Sequence, residues 1–337
     1  VTGVVLYDDA RARRFEPFAL TRPAGELRAG ALLVRERWER VTRNRALGFI
    51  GAAHLAEFEE DGAPGALAEV PAGALVVNAR FAPALGSTLP VAGAYQSDGR
   101  LTAVRLTRAV SQSELRDGQT PLEELPRASG RAVESSGWWI DEVWHLIRDL
   151  GVMLEADILA LGAGLRAVER DEAVLVGDHH VFVEEGATIE PQVCFDVTLG
   201  PVLVGRGATV QAFTRVVGPC CIGEESVVTS DRVAGCSIGP HCKVHGEISA
   251  TVLLGYTNKG HDGFVGHSYL GRWVNLGAGT TTSNLKNTYG PVSLWTPDGV
   301  RDTGMQFLGS LLGDHAKTGI NLPLTTGTVI GAGANVV

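Results

Sequence analysis

The run Val204-Gly205-Arg206-Gly207-Ala208-Thr209-Val210-Gln211-Ala212-Phe213-Thr214-Arg215-Val216-Val217-Gly218-Pro219-Cys220-Cys221-Ile222-Gly223-Glu224-Glu225-Ser226-Val227-Val228 carries an aliphatic residue at every sixth position. Val204, Val210, Val216, Ile222 and Val228 keep that spacing. It is neither the helical period nor the simple alternation of a half-buried strand. A six-residue unit makes one flat face of a parallel β-helix, with the aliphatic side chain pointing inward and small residues permitting the turn. Ile238 and Val244 continue in a shifted register, Phe264, Leu270 and Leu276 form a third run, and Leu324, Ile330 and Val336 a fourth. Glycine often follows the aliphatic residue, as in Val176-Gly177, Leu199-Gly200, Ile222-Gly223, Ile238-Gly239 and Leu276-Gly277. An ordinary sandwich would instead space its turns at about 8–12 residues. Such hexapeptide coils wind left-handed, against the usual crossover rule.

Upstream of about residue 170 the pattern changes to α/β. Gly3–Tyr7 and Ala74–Asn78 read as buried strands, and Leu32–Val41 has helical apolar spacing. Ile147, Leu150, Leu154, Ile158 and Leu161 mark an amphipathic helix. The expected organisation is an α/β domain over 1–143, a helical connector over 144–170 and a left-handed β-helix over 171–337.

Composition narrows the function classes. Hydrophobic residues make up 45% and charged residues 20%, a globular balance. The net charge of −9 argues against a broad nucleic-acid footprint. No apolar stretch is long enough to span a membrane, and the N-terminus lacks a signal-peptide pattern. The five cysteines form no CxxC pair, so no disulfide or metal framework is expected, and the reading is a reduced, cytoplasmic protein. Lysine occurs only at positions 243, 259, 286 and 317. A phosphate held by the first half must therefore be held by arginine or by backbone amides. The repeat reaches the last residue, which predicts that the final coil is clipped or covered by a partner. Prisms of this kind pack side by side, and a homotrimer is expected.

The stretch Gly260-His261-Asp262-Gly263-Phe264-Val265-Gly266-His267-Ser268-Tyr269-Leu270-Gly271-Arg272-Trp273-Val274-Asn275-Leu276-Gly277-Ala278-Gly279-Thr280-Thr281-Thr282-Ser283-Asn284-Leu285-Lys286, with Phe307-Leu308-Gly309-Ser310 beyond it, resembles a known family. These are the bifunctional UDP-N-acetylglucosamine pyrophosphorylase/glucosamine-1-phosphate N-acetyltransferases. The start of the chain resembles the same family. Pro17 and Pro23 keep the spacing of its Pro-Leu-Thr-x-x-x-Pro segment, and Arg14 falls where its loop arginine would fall. The glycines of that loop are absent, and Ala24 stands in place of its lysine. Glycines let amides approach a triphosphate, and the lysine neutralises phosphoryl charge. Arg11, Arg14 and Arg22 are the candidates to replace them.

The resemblance implies acetyl transfer from acetyl-CoA to an amino-sugar 1-phosphate, glucosamine-1-phosphate first. It also implies possible uridylyl transfer from UTP, with Mg2+ needed only for that second activity. Acetyl transfer requires a base and a donor for the oxyanion. The matching residues are His267 as base, with His261 as rival, and Tyr269, Asn275 and Asn284 around the sugar or acetyl group. Six residues advance one face, so the two histidines should not share a site. Lys259, Arg272 and Lys286 are candidates for the sugar phosphate. Ala278, Ser310 and Ala332 match positions along the coenzyme A groove, whose phosphate end would lie beyond Val337. Residues 285–306 leave the hexad pattern, and a loop of that length is usually functional. No resident metal is expected.

Two other readings stay open. One is a non-catalytic module or scaffold that binds a sugar nucleotide through the first domain. The other is a hexapeptide-repeat zinc carbonic anhydrase built on His179, His180, His241 and His245, which would need three imidazoles converging on the ion.

Overall fold

The computed structural model describes residues 3–86, 88–169, 172–229 and 231–337. The chain divides into two compact units, Val1–Val143 and Trp144–Val337.

The first unit is built on a six-stranded mixed sheet of β1 (Val4–Tyr7), β2 (Ala46–Ile50), β3 (Leu75–Asn78), β4 (Ala94–Ser97), β5 (Arg100–Arg105) and β6 (Val133–Glu134), in the order β6-β4-β5-β3-β1-β2. β1 lies parallel to both β2 and β3, while β3 and β4 run antiparallel to β5. Both expected strands are present, and β1 is buried along its whole length. Helix α1 (Val34–Thr42) buries Val34, Trp38 and Val41 together with Arg37. Arginine serves here as an internal fastener. Arg37 is fully buried and donates to the carbonyls of Ala29 and Pro83, both at 2.8 Å. Arg35 is buried against Glu26 at 2.6 Å. The planar guanidinium presents five donors in a fixed fork that reaches acceptors on separate segments.

The second unit is a left-handed parallel β-helix. Its three faces are sheets of nine, six and five strands, in which each coil pairs in parallel with the next over most of the length. Val204, Ile222, Ile238, Leu253, Leu270, Leu312 and Ile330 stand one above another through these pairings. Val204, Val210, Val216, Ile222 and Val228 are all fully buried in one core, as are Ile238 and Val244. The third run differs from its expected register. Val265, not Phe264, pairs with Ile248 and enters the core. Phe264 is half-buried, its ring against Gly266.

The glycines that follow the aliphatic positions serve close approach. A Cβ on Gly239 would meet the Leu254 carbonyl oxygen at 2.2 Å, and one on Gly277 would meet that of Gly319 at 2.2 Å. Along one corner the turns are made by larger residues. His241, Tyr256, Trp273 and His315 all have φ between 54° and 61°. Their rings stack coil upon coil, with centroids 4.9, 4.4 and 6.4 Å apart.

Helices α2 (His145–Arg148) and α3 (Leu150–Gly162) belong to this second unit, and α3 packs on the nine-stranded face. The segment expected as a connector is thus a layer on the coils. Residues 285–306 contain an antiparallel hairpin, Ser293–Thr296 with Gly299–Asp302. It is inserted between the coils of Leu270 and Leu312, which remain paired across it.

Candidate functional site

His267 sits at a corner of the second unit with φ 47°, directly after a buried strand at Val265–Gly266. Its backbone is pinned on both sides, donating to the Ser249 carbonyl at 2.9 Å and accepting from Gly309 N–H at 2.8 Å. The ring is half-buried and stacks on Phe307 at 5.4 Å. Asn284 Nδ2 lies 2.9 Å from His267 Nδ1. Burial holds the imidazole below its usual pKa, because the charged form loses hydration. The neutral ring is therefore the resting form at neutral pH, as a base requires. With the amide in this orientation, Nδ1 accepts and the proton sits on Nε2. A half-turn of the Asn284 side chain exchanges two atoms of similar size. Oδ1 then accepts Nδ1–H, and the Nε2 lone pair is free to take a proton.

The structure thus brings His267, Asn284 and Phe307 together, from segments of three successive parts of the expected motif. His261 is elsewhere. It is exposed and lines a cavity of about 480 Å³ with His245, Asp262, Ala278 and Asn321, and His267 does not line it.

Other expected residues are placed differently. Tyr269 is fully buried in its strand between Val252 and Leu311, so its side chain has no surface open to solvent. Asn275 accepts from Asn258 Nδ2 at 2.8 Å, a rung between coils. Lys259 is 1% exposed, and its ammonium donates to the carbonyls of His245, at 3.1 Å, and His261. Burial lowers it to about 8. An ammonium sequestered in this way has no open side for a sugar phosphate. Arg272 is 8% exposed, with its guanidinium over the Tyr256 ring at 5.4 Å. Lys286 reaches the Pro291 carbonyl at 3.0 Å within the inserted segment. Ser310 is fully buried in the strand that also carries the core residue Leu312, and so faces away from any groove. Ala278 lines the cavity of His261, and Ala332 is half-buried on the last coils. These three do not form one surface.

Among the described residues of the single chain, His179, His180, His241 and His245 do not gather around one point. Among the described residues, the group able to gather around an ion is Asp231, His245 and Asp262, without His179, His180 or His241.

The first unit holds a cleft of about 320 Å³ at the carboxyl ends of β1 and β3, where ligands of open α/β sheets bind. Tyr7, Asp9, Arg11, Asn78, Arg80 and Trp139 are among its walls. Of the expected arginines only Arg11 lines it, pairing with Glu142 at 2.6 Å. Arg14 is exposed and outside the lining. Arg22 is 3% exposed and paired with Glu60 at 2.9 Å, an internal ion pair instead of a phosphate ligand. Sequence reasoning missed Asp9, Arg80, Arg100 and Trp139. Asp9 Oδ1 accepts from the N–H groups of Arg11 and Ala12, at 3.1 and 2.9 Å. It also binds Arg80 at 2.7–3.0 Å and Asn78 at 2.9 Å. Burial alone would raise this carboxyl, but the Arg80 bonds outweigh it and hold it low. An internal carboxylate thus occupies the amides and the guanidinium that an anionic ligand would use. The one legible signal was the position of Asp9, in the loop after the first strand.

Residues 4–165 match the sugar nucleotidyl transferase family. The bifunctional sugar-1-phosphate nucleotidylyltransferase/acetyltransferase of Sulfurisphaera tokodaii is 32% identical over 90 residues, 27% of this chain and 22% of that protein. Bifunctional protein GlmU of Desulfitobacterium hafniense is 28% identical over 198 residues, covering 49% of this chain and 39% of the relative. GlmU of Methanocaldococcus jannaschii is 24% identical over 252 residues, covering 73% and 55%. The chain thus matches between 22% and 55% of the length of these relatives. Among the described residues, no helix is long and apolar enough to cross a membrane.

Proposed function

We propose, for a chain that joins a sugar nucleotidyl transferase domain to a hexapeptide-repeat β-helix of the acetyltransferase kind, acetyl transfer from acetyl-CoA to the amine of an amino-sugar 1-phosphate, glucosamine-1-phosphate first. The observation that carries this reading is the pairing of a half-buried, neutral His267 with Asn284. In this reading His267 Nε2 takes the proton from the attacking amine while Asn284 holds Nδ1–H. The amine nitrogen bonds to the thioester carbonyl carbon, and the carbon–sulfur bond then breaks to release the coenzyme A thiol. Exposed Val174, Val176, Leu199, Phe213 and Ile320 on the second unit support side-by-side packing of prisms as a homotrimer. The five cysteines, none of them in a disulfide among the described residues, fit a reducing, cytoplasmic setting.

For the first unit, the observation favours a different reading. With the loop amides and Arg80 taken by Asp9, the cleft keeps Arg11 and Arg100 to meet an anion but has few donors left for the developing charge of phosphoryl transfer, which favours sugar-nucleotide binding without turnover. Magnesium and UTP then have no catalytic part here.

The test is thiol release from acetyl-CoA with glucosamine-1-phosphate, on wild type, His267→Ala and His261→Ala, followed by UTP and Mg2+ in the same tube. Release lost only in His267→Ala is expected, with no pyrophosphate. Release surviving His267→Ala but lost in His261→Ala would move the base to the other corner. No release with any amino-sugar phosphate would sink the acetyltransferase reading.

A further inference from the structure

The group Asp231, His245 and Asp262 lies on adjacent coils beside the cavity lined by His261. His245 Nδ1 is 2.7 Å from the Thr229 carbonyl oxygen. The Thr229 hydroxyl is also 3.0 Å from Nδ1; with the hydrogen on Nδ1 for the shorter contact to the carbonyl, Nε2 of the neutral ring presents its lone pair. That lone pair faces two more acceptors, Asp262 Oδ1 at 2.9 Å and Asp231 Oδ2 at 3.9 Å. Three such acceptor atoms within 4.8 Å of one another form a ligand set for a cation. A proton on Nε2 would serve, and so would a metal ion. The Nδ1–H to carbonyl bond is the support that fixes the tautomer and ring angle of metal-ligating histidines.

The distances discriminate further. Tetrahedral ligands about 2.0–2.2 Å from an ion lie roughly 3.4 Å from one another. The separations of 2.9 and 3.9 Å bracket that value, and the three ligand atoms all lie within 4.8 Å of one another. Two carboxylates outweigh the one nearby ammonium, Lys259, which is turned to the carbonyls of His245 and His261. Three protein ligands beside an open cavity leave a coordination position for water or for an oxygen ligand.

We infer that Asp231, His245 and Asp262 form a binding site for a divalent transition-metal ion, Zn2+ or Mn2+, with one open position toward the His261 cavity. One imidazole with two carboxylates suits these ions better than Mg2+, which prefers to keep its waters. This goes beyond the acetyl-transfer reading and does not rest on it, since His267 and Asn284 are not among the ligands.

Calorimetric titration of the whole chain with Zn2+, Mn2+ and Mg2+ tests the inference, on wild type, Asp231→Asn, Asp262→Asn and a His179→Ala/His180→Ala control. One Zn2+ or Mn2+ per chain is expected, with Mg2+ weaker. Each Asn variant should weaken it by about tenfold or more, and the control should leave it unchanged. Circular dichroism melts of the metal-free variants, matching wild type, would show that the fold is retained. No uptake by wild type would overturn the inference. Uptake unchanged in both Asn variants, or lost in the control, would place the ion elsewhere and overturn it as well.

Discussion

At the scale of single residues, the His267–Asn284 pair makes two separable predictions. Removing the ring in His267→Ala should lower kcat for acetyl transfer by roughly 10²–10⁴-fold, the usual contribution of a positioned base. Burial lowers the imidazole pKa, and a base acts when unprotonated. The acid limb of kcat/KM should therefore lie below the ordinary value of about 6.5. Asn284→Asp places a carboxylate at Nδ1 and favours the imidazolium. Its acid limb should move to higher pH, whereas a merely structural Asn284 would lower activity without moving the limb. Asp8 gives a third residue-scale prediction, on stability. It is fully buried, its Oδ2 accepts from Ala24 N–H at 3.0 Å, and burial pushes it up to about 7. A raised carboxyl contributes stability that is present below its unfolded value near 4 and is lost as pH rises through the folded value. Asp8→Asn should flatten this dependence between about pH 4 and 7 and raise the melting temperature at pH 8. A thermal-melting series across pH would reveal no difference between the two proteins if Asp8 is ionised in the fold.

At the scale of the element, the hexad and its glycines serve different ends. Ile222 is fully buried in the prism, paired with Val204 below and Ile238 above. Ile222→Ala should cost about 2–5 kcal/mol in denaturant unfolding. Phe264→Ala should cost less, because Val265 takes the core position in that coil. Equal losses would restore the register read from the sequence. That register failed for a physical reason. The coils from Ile222 to Leu270 are shorter than three full hexads, and the sequence alone does not say which corner drops a residue. Gly239→Ala forces a Cβ to 2.2 Å from the Leu254 carbonyl oxygen, and should cost about 1–3 kcal/mol by prying coils apart. The inserted hairpin was legible only as a break in the pattern. Its pairing is local, but the coil that resumes after it, at Leu312, is fixed by a partner far back at Leu270.

At the scale of the whole molecule, the proposed function gives the two units separate tasks. Asp9→Asn weakens the internal anion in the first cleft without touching the second unit. It should increase binding of a nucleoside diphosphate sugar or triphosphate while thiol release stays at the wild-type rate, read by calorimetry and the thiol assay. Parallel loss of thiol release would mean that the units are coupled. The sequence by itself determined the β-helix, since a six-residue period with aliphatic residues at Val204 to Val228 leaves one way to bury them. It also determined the α/β character of the first unit and the resemblance of its motifs to those of known transferases, because strand runs and motif spacing are local properties. Only the tertiary structure decided which motif residues reach a surface. Burial depends on what the neighbouring coil places beside a side chain, and this removed Tyr269, Lys259 and Ser310 from the site while leaving His267 beside Asn284. It also decided that Asp9 takes up the loop amides and Arg80, and that Asp231, His245 and Asp262 converge. Those contacts join residues of separate strands and coils, and pairing across coils sets their distances where order along the chain does not.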